Sequence, residues 1–308
     1  MNKQCAYFPS TNASDTIRYF KYSPDCDIKG IFQMVHGMAE NAERYEDFAE
    51  YLCGKGYVVY IHEHIGHGGS VKDIARLGCF LDENQSRIMV EDVRKMTDIA
   101  MRENPGKKLV LFGHSMGSFV VRVYTAKYGA AIDGLVICGS GAANPAVGAG
   151  LALIKLMKAF KGGDYRSKFV DKMAFGKYND RYERRTDFDW LSRDNKIVDD
   201  YIASDYCGFI FSLNGMKALM ELNSLANKPK TFERTPKKLP IFVVSGDMDP
   251  VGDYGEGVKK FYERYVAAGV EDCTLKLYHE GRHELLNELN KDEVYADISA
   301  FADKIINA

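Results

Sequence analysis

The sequence contains no run of about 18 apolar residues, and its opening MNKQCAYFPSTNASD has no apolar core of the kind a secretory signal carries. Neither a transmembrane helix nor a signal peptide is expected. It also lacks any C-x-x-C pair: the seven cysteines, at 5, 26, 53, 79, 138, 207 and 273, are scattered and odd in number. That pattern excludes a disulfide framework and a zinc ribbon, and it points to a reducing compartment, the cytoplasm. Charge of one sign is absent too, with 41 Lys and Arg against 43 Asp and Glu for a net −2. Nucleic-acid binding, which depends on a basic field, is therefore not expected. Repeats and low-complexity segments are missing. What remains, at 46% hydrophobic and 27% charged over 308 residues, is an ordinary globular composition with room for one large domain or two.

From Gly30 onward, short apolar runs alternate with helical patterns. GIFQMVHG (30–37), YVVYIHEH (57–64), KKLVLFGHS (107–115) and DGLVICGSG (133–141) read as buried strands. Between them, residues 43–56, 86–104 and 116–129 have apolar positions at helical spacing. Strands separated by helices of this length imply right-handed crossovers and a mainly parallel sheet covered on both faces, an α/β fold. The alternation stops between Ala143 and Pro236, where charged helical patterns contain no strand run, and it resumes with strands at 237–247 and 273–281 and helices at 254–270 and 282–308. A structureless loop of that length is uncommon in a compact domain. The expected organisation is a core from 1–142 and 236–308 with a helical lid at 143–235 inserted between two core strands.

The stretch HEHIGHGGS places His62, His64 and His67 in an H-x-H-x-x-H spacing that resembles the zinc-binding loop of the metallo-β-lactamases. In that family an Asp follows as a further ligand, and Gly66 stands here instead. The other histidines have separate places in the sequence, with His36 and His114 in glycine-containing turns, His279 on the last strand and His283 beyond it. No metal ligand set is expected, and these rings are expected to brace a loop.

The sharper chemistry lies at the end of the strongest strand, in Gly113-His114-Ser115-Met116-Gly117. This is G-x-S-x-G in the order strand, turn, helix, where side chains at either glycine would collide with neighbouring chain. The turn exposes the Ser115 hydroxyl, and it puts the Met116 N–H at a helix start, where unpaired donors and the dipole favour an anion. A serine hydroxyl is a weak nucleophile and needs a base that is itself oriented by a third group. SGDMDPVGD places Asp247 and Asp249 at the carboxyl end of the next core strand, and YHEGRHELL places His279 and His283 at the end of the last. We expect His283 and Asp249 to act because both fall in loops past their strands, whereas His279 would still lie on its strand. The second oxyanion donor is expected in VHGMAE, where Gly37 permits a tight turn and Met38 offers its N–H.

The order serine, acid, histidine, together with HGMAENAERYEDFAEYL, HEHIGHGGS, GHSMGS, GDMDP and HEGRHELLNE, resembles the monoacylglycerol lipase and lysophospholipase branch of the α/β-hydrolases, a group also classed with the serine aminopeptidases. The resemblance implies a serine esterase with a helical lid over an acyl pocket. It carries the roles of nucleophile to Ser115, acid to Asp249, base to His283 and oxyanion donors to Met38 and Met116, with no cofactor. Glu63 stands where the family often has Asp. FDWLSRD and YCGFIFSLNG, inside the inserted segment, are weaker matches.

Residues 155–185 hold ten Lys or Arg against four acids, next to the apolar AVGAGLALIKLMKAF. An amphipathic lid of this kind suits peripheral contact with anionic lipid or an aggregated acyl substrate; the plainer reading is a packed helix with a solvated basic face. The partner expected is a small acyl ester, and no partner protein is evident. Three other functions compete: a metal hydrolase, a non-catalytic binding protein on the same fold, and a peptidase of the proline-iminopeptidase type. The last usually has more glycine in the first oxyanion loop and a tryptophan beside the serine, where this chain has Met38 and Met116.

Overall fold

The computed structural model describes residues 1–80 and 84–307. Its centre is an eight-stranded sheet in the order β1-β2-β4-β3-β5-β6-β7-β8. The strands are β1 (Asn2–Pro9), β2 (Thr16–Ser23), β3 (Gly30–Val35), β4 (Tyr57–His62), β5 (Leu109–His114), β6 (Gly134–Cys138), β7 (Ile241–Gly246) and β8 (Cys273–Tyr278). From β4 to β8 every neighbouring pair is parallel; β1 and β2 add an antiparallel edge.

The sheet is covered on both faces: its central strands are buried at every position, and successive side chains point to opposite sides. In β5, Leu109 and Leu111 join one core with α2 (Gln85–Glu103), α3 (Met116–Tyr128) and α9 (Glu256–Ala267). Val110 and Phe112 join a second core with α1 (Glu46–Gly54) and α10 (Lys291–Asn307). The same alternation divides β3, β4, β6 and β7 between the two layers.

Between β6 and β7 the described chain forms α4 (Val147–Lys161), α5 (Lys168–Phe175), α6 (Asn195–Ala203), α7 (Leu213–Ala226) and α8 (Pro229–Arg234). Helix α7 packs into the core through Leu213, Met216 and Leu222. Helix α4 buries only Ile154. No helix among the described residues is long and apolar enough to cross a membrane.

Three expectations need correction. The sheet begins before Gly30, with the edge strands β1 and β2. The last helix begins at Lys291 rather than 282, because the N–H groups of His283 and Glu284 donate to Trp190 O and Leu191 O in the insertion instead of forming a helical turn. Its expected last residue, Ala308, lies outside the described residues. His279 is not on the last strand: β8 stops at Tyr278, whose carbonyl takes the N–H groups of Asp247 and Gly281, and the chain turns through Glu280 at φ 56°. His279 is left in solvent with Nδ1 3.2 Å from Asp247.

Candidate active site

Ser115 sits between β5 and α3 with φ 52° and ψ −120°, a backbone conformation that a residue with a side chain adopts only under constraint. Two close approaches supply the constraint. A Cβ on Gly117 would lie 2.2 Å from Val35 O, and one on Gly113 would lie 2.6 Å from Gly117 O. Helix α3 is thus pressed against the ends of β3 and β5, and the elbow can only turn sharply. Its strain is held by the Ser115 N–H to Cys138 O bond of 3.0 Å.

The loops after β7 and β8 bring Asp249 and His283 together. Nδ1 of His283 lies 3.0 Å from each Asp249 oxygen, and both side chains are buried. Since a carboxylate only accepts, Nδ1 carries the proton and Nε2 of the neutral ring is the free base. Burial opposes a charge on this imidazole, but Asp249, by charge and by hydrogen bond, with Glu284 and Glu40 beyond it, raises its pKa above the ordinary histidine value. His283 stands against the elbow: its ring centroid is 4.7 Å from that of His114, and a Cβ on Gly139 would lie 3.1 Å from His114 and 3.2 Å from His283. Among the described residues no hydrogen bond joins Ser115 to His283. Bonds of this kind are often loose without substrate and tighten in the complex.

The loop after β3 completes the locus. A Cβ on Gly37 would lie 3.0 Å from Cβ of Ser115. Around this loop the histidines find their work. Nδ1–H of His36 donates to Gly37 O at 2.8 Å while its Nε2 accepts from His64 N–H at 3.0 Å, which fixes the tautomer. Because C=O and N–H of one trans peptide point opposite ways, holding Gly37 O on His36 turns the Met38 N–H away from it. His64 Nε2–H returns a bond to His36 O at 3.2 Å, and His67 Nε2 accepts from Ala39 N–H at 3.2 Å. Burial holds the pKa of His36 and His64 well below the ordinary value and lowers His67 to about 4, so the rings are neutral. Among the described residues the N–H groups of Met38 and Met116 have no acceptor.

Two side chains that sequence reasoning did not single out, Glu40 and Tyr201, also fasten this loop. Glu40 accepts from Gly37 N–H at 2.5 Å and from Tyr45 O–H at 2.8 Å. Burial and then the nearby Glu284 push its carboxyl up to about 7, while Arg44, which also pairs with Glu284, works the other way. From the insertion, Tyr201 O–H donates to Ala39 O at 3.0 Å and Gly208 N–H to the same oxygen at 2.9 Å. Glu40 and Arg44 stand within the quoted HGMAENAERYEDFAEYL, whereas nothing local marks Tyr201. Glu63 is buried and takes Arg18 through two bonds of 2.7 and 2.8 Å and Gly69 N–H at 2.6 Å; a Cβ on Gly68 would collide with its carboxylate at 2.1 Å. That explains Gly68 in HEHIGHGGS.

The sequence profile of the serine aminopeptidase S33 family matches residues 27–290, which span this entire locus. The chain belongs to that family. Its fold is that of the α/β-hydrolases. Among relatives of this S33 hydrolase, a monoacylglycerol lipase of Mycolicibacterium smegmatis is 28% identical, over 92% of each chain, and a mouse (Mus musculus) monoglyceride lipase is 27% identical over 88% of this chain and 80% of its own. A thermostable carboxyl esterase from Bacillus coagulans, solved with glycerol, superposes with a TM-score of 0.93 at 30% identity, over 99% of both chains.

Proposed function

We propose that this S33 hydrolase cleaves carboxylic esters of medium or long acyl chains, monoacylglycerols first among them, through an acyl-serine intermediate. In this reading His283 Nε2 takes the proton of Ser115 as the hydroxyl attacks the ester carbonyl. Met38 and Met116 N–H receive the developing oxyanion, each such donor typically contributing about 3 kcal/mol. The imidazolium, stabilised by Asp249, then protonates the departing alcohol, and water repeats the sequence to release the acid. The observation that carries the proposal is the buried Asp249–His283 pair packed against a strained serine turn with two unaccepted N–H groups beside it. The lipase and esterase relatives support an ester over a peptide substrate.

The insertion at 143–235 serves as the lid over the acyl pocket, with 1–142 and 236–308 as the core. Support comes from α4 and α5, which leave Leu156, Phe160, Phe169 and Met173 59–78% exposed at i, i+4 spacing among Lys155, Lys158, Lys161, Lys168 and Lys172. Such a face suits peripheral contact with anionic or aggregated lipid. Seven unpaired cysteines suit a reducing compartment, the cytoplasm.

The test is a panel of monoacylglycerols, lysophospholipids and short p-nitrophenyl esters with wild type and Ser115→Ala, alongside a fluorophosphonate probe. Labelling of Ser115 and turnover lost in the variant are expected. A folded protein that is neither labelled nor active would overturn the reading.

A further inference from the structure

The insertion reaches the site at a second point. Residues 189–193 are bound closely to the loop that carries His283. Trp190 O and Leu191 O accept the N–H groups of His283 and Glu284 at 3.3 and 2.8 Å, Arg282 donates to Asp189 O and Ser192 O, and Arg193 pairs with Glu288 at 2.8 Å. Through this clamp the indole of Trp190, the chain's single tryptophan, comes to 5.0 Å from the His283 ring at 41°. The indole is itself fixed, by the Tyr178 ring at 4.9 Å and by its own N–H-bearing backbone, which donates to Asn179 at 2.9 Å.

We infer that Trp190 is a positioning residue for His283: its indole packs on the imidazole and keeps the ring turned so that Nδ1 meets Asp249 and Nε2 faces the serine elbow. The inference rests on the proposed role of His283 as base. Asp249 fixes only one edge of a ring that can still rock about the Cβ–Cγ bond, and a packed aromatic face removes that freedom. The π face also favours the imidazolium that forms during attack. The charged or titratable groups facing the ring from elsewhere are Asp249, Glu284, Glu40 and His114. Of these only His114 also packs a ring on His283, at 4.7 Å, and its imidazole is smaller than the indole. The sequence offered Trp190 only within a weak family match; its contact with His283 spans 93 positions and is set by the clamp.

Two variants and one optical signal test it. Because the clamp is made by main-chain carbonyls, Trp190→Phe keeps the segment in place and is expected to retain kcat within about threefold; Trp190→Ala is expected to lose about tenfold or more in kcat at nearly unchanged KM, in line with the cost of a misoriented catalytic group. Its acid limb should move to lower pH as the π face is lost and water screens Asp249. An imidazolium quenches indole emission, so the fluorescence of Trp190 should fall with decreasing pH, with the midpoint of the acid limb in kcat/KM. The change should persist in Ser115→Ala and vanish in His283→Gln. Wild-type kcat and acid limb in Trp190→Ala, or an emission change that survives His283→Gln, would overturn the inference. Ester turnover that survives His283→Gln would instead overturn the assignment of the base, while the emission arm still reads the contact.

Discussion

Both carboxylate oxygens of Asp249 lie 3.0 Å from Nδ1 of His283, in a pair with relative exposures of 0% and 2%. So complete a burial makes the acid's task specific. It holds one tautomer and stabilises the positive charge that forms on the ring. Asp249→Asn preserves the shape but offers a donor where an acceptor is needed. We expect kcat to fall by about 10⁴-fold with thermal stability little changed, as measured by ester turnover and melting on the same preparation. A loss below tenfold would mean that the pair does not serve catalysis.

The pH profile follows from the same contact. His283 must be neutral to accept the serine proton, and its folded pKa is raised above 6.5. The rate in kcat/KM should therefore fall as pH drops through a value higher than that of free histidine, with one proton taken up. In Asp249→Asn the largest raising influence is gone and burial is opposed less, so the residual activity should extend to lower pH. The stability sign is opposite: a raised pKa contributes stability that is present below 6.5 and is lost as pH rises through the folded value. A profile for Asp249→Asn that superposes on wild type would contradict this.

Much of this could be read from the chain because it rests on local rules. Gly113 and Gly117 flank Ser115 for a steric reason that any sequence would obey, and β7, which delivers Asp249, opens on the apolar run Ile-Phe-Val-Val. Strand β1 could not be read this way, since Phe8 is its single fully buried apolar side chain and pairing with β2 holds it in place. Strand β2 buries Ile17 and Tyr19 in one core layer and Phe20 and Tyr22 in the other, so the adjacent pair at 19 and 20 interrupts a period-two pattern. The stretch after β8 has apolar residues suited to a helix, yet its N–H groups go to the insertion 90 or more residues away. The parts played by Tyr201 and Trp190 arise from such non-local contacts. No periodicity records them.

The elbow gives a prediction on stability through a contrast of two glycines. Alanine at Gly117 would put its Cβ 2.2 Å from Val35 O and 2.5 Å from His36 O, both main chain that cannot yield without moving β3. Gly117→Ala should cost more than about 3 kcal/mol and abolish soluble expression or activity. Gly148, inside α4, has nothing within 4 Å of the same added atom. Gly148→Ala should raise stability by about 0.5–1 kcal/mol through helix propensity alone. Denaturant titrations compare the two, and equal effects would show that the close approach at the elbow does not matter.

The buried histidines set the acid limit of the fold, and His62 isolates the effect. Its ring is fully buried, neither nitrogen has a partner among the described residues, and burial lowers its pKa to about 3. Its neighbours are the Phe8 ring at 6.3 Å and the His64 ring at 5.1 Å. A depressed pKa contributes stability that is present above 6.5 and is lost as pH falls toward the folded value, by about 1.4 kcal/mol per pH unit for each such ring. His36, His64, His67 and His114 are lowered in the same direction, so their losses accumulate over the same window. His62→Phe keeps the flat shape and removes two unpaired polar atoms. It should stabilise the fold by about 1 kcal/mol at pH 7, where the ring is already neutral in both states. At pH 5 the gain should be larger by about 2 kcal/mol, since the unfolded chain of the variant no longer takes up that proton. Urea titrations at the two pH values measure both numbers. A gain that is the same at pH 5 and pH 7 would show that His62 is charged or solvated in the native state, and the acid sensitivity would then have to come from the remaining rings.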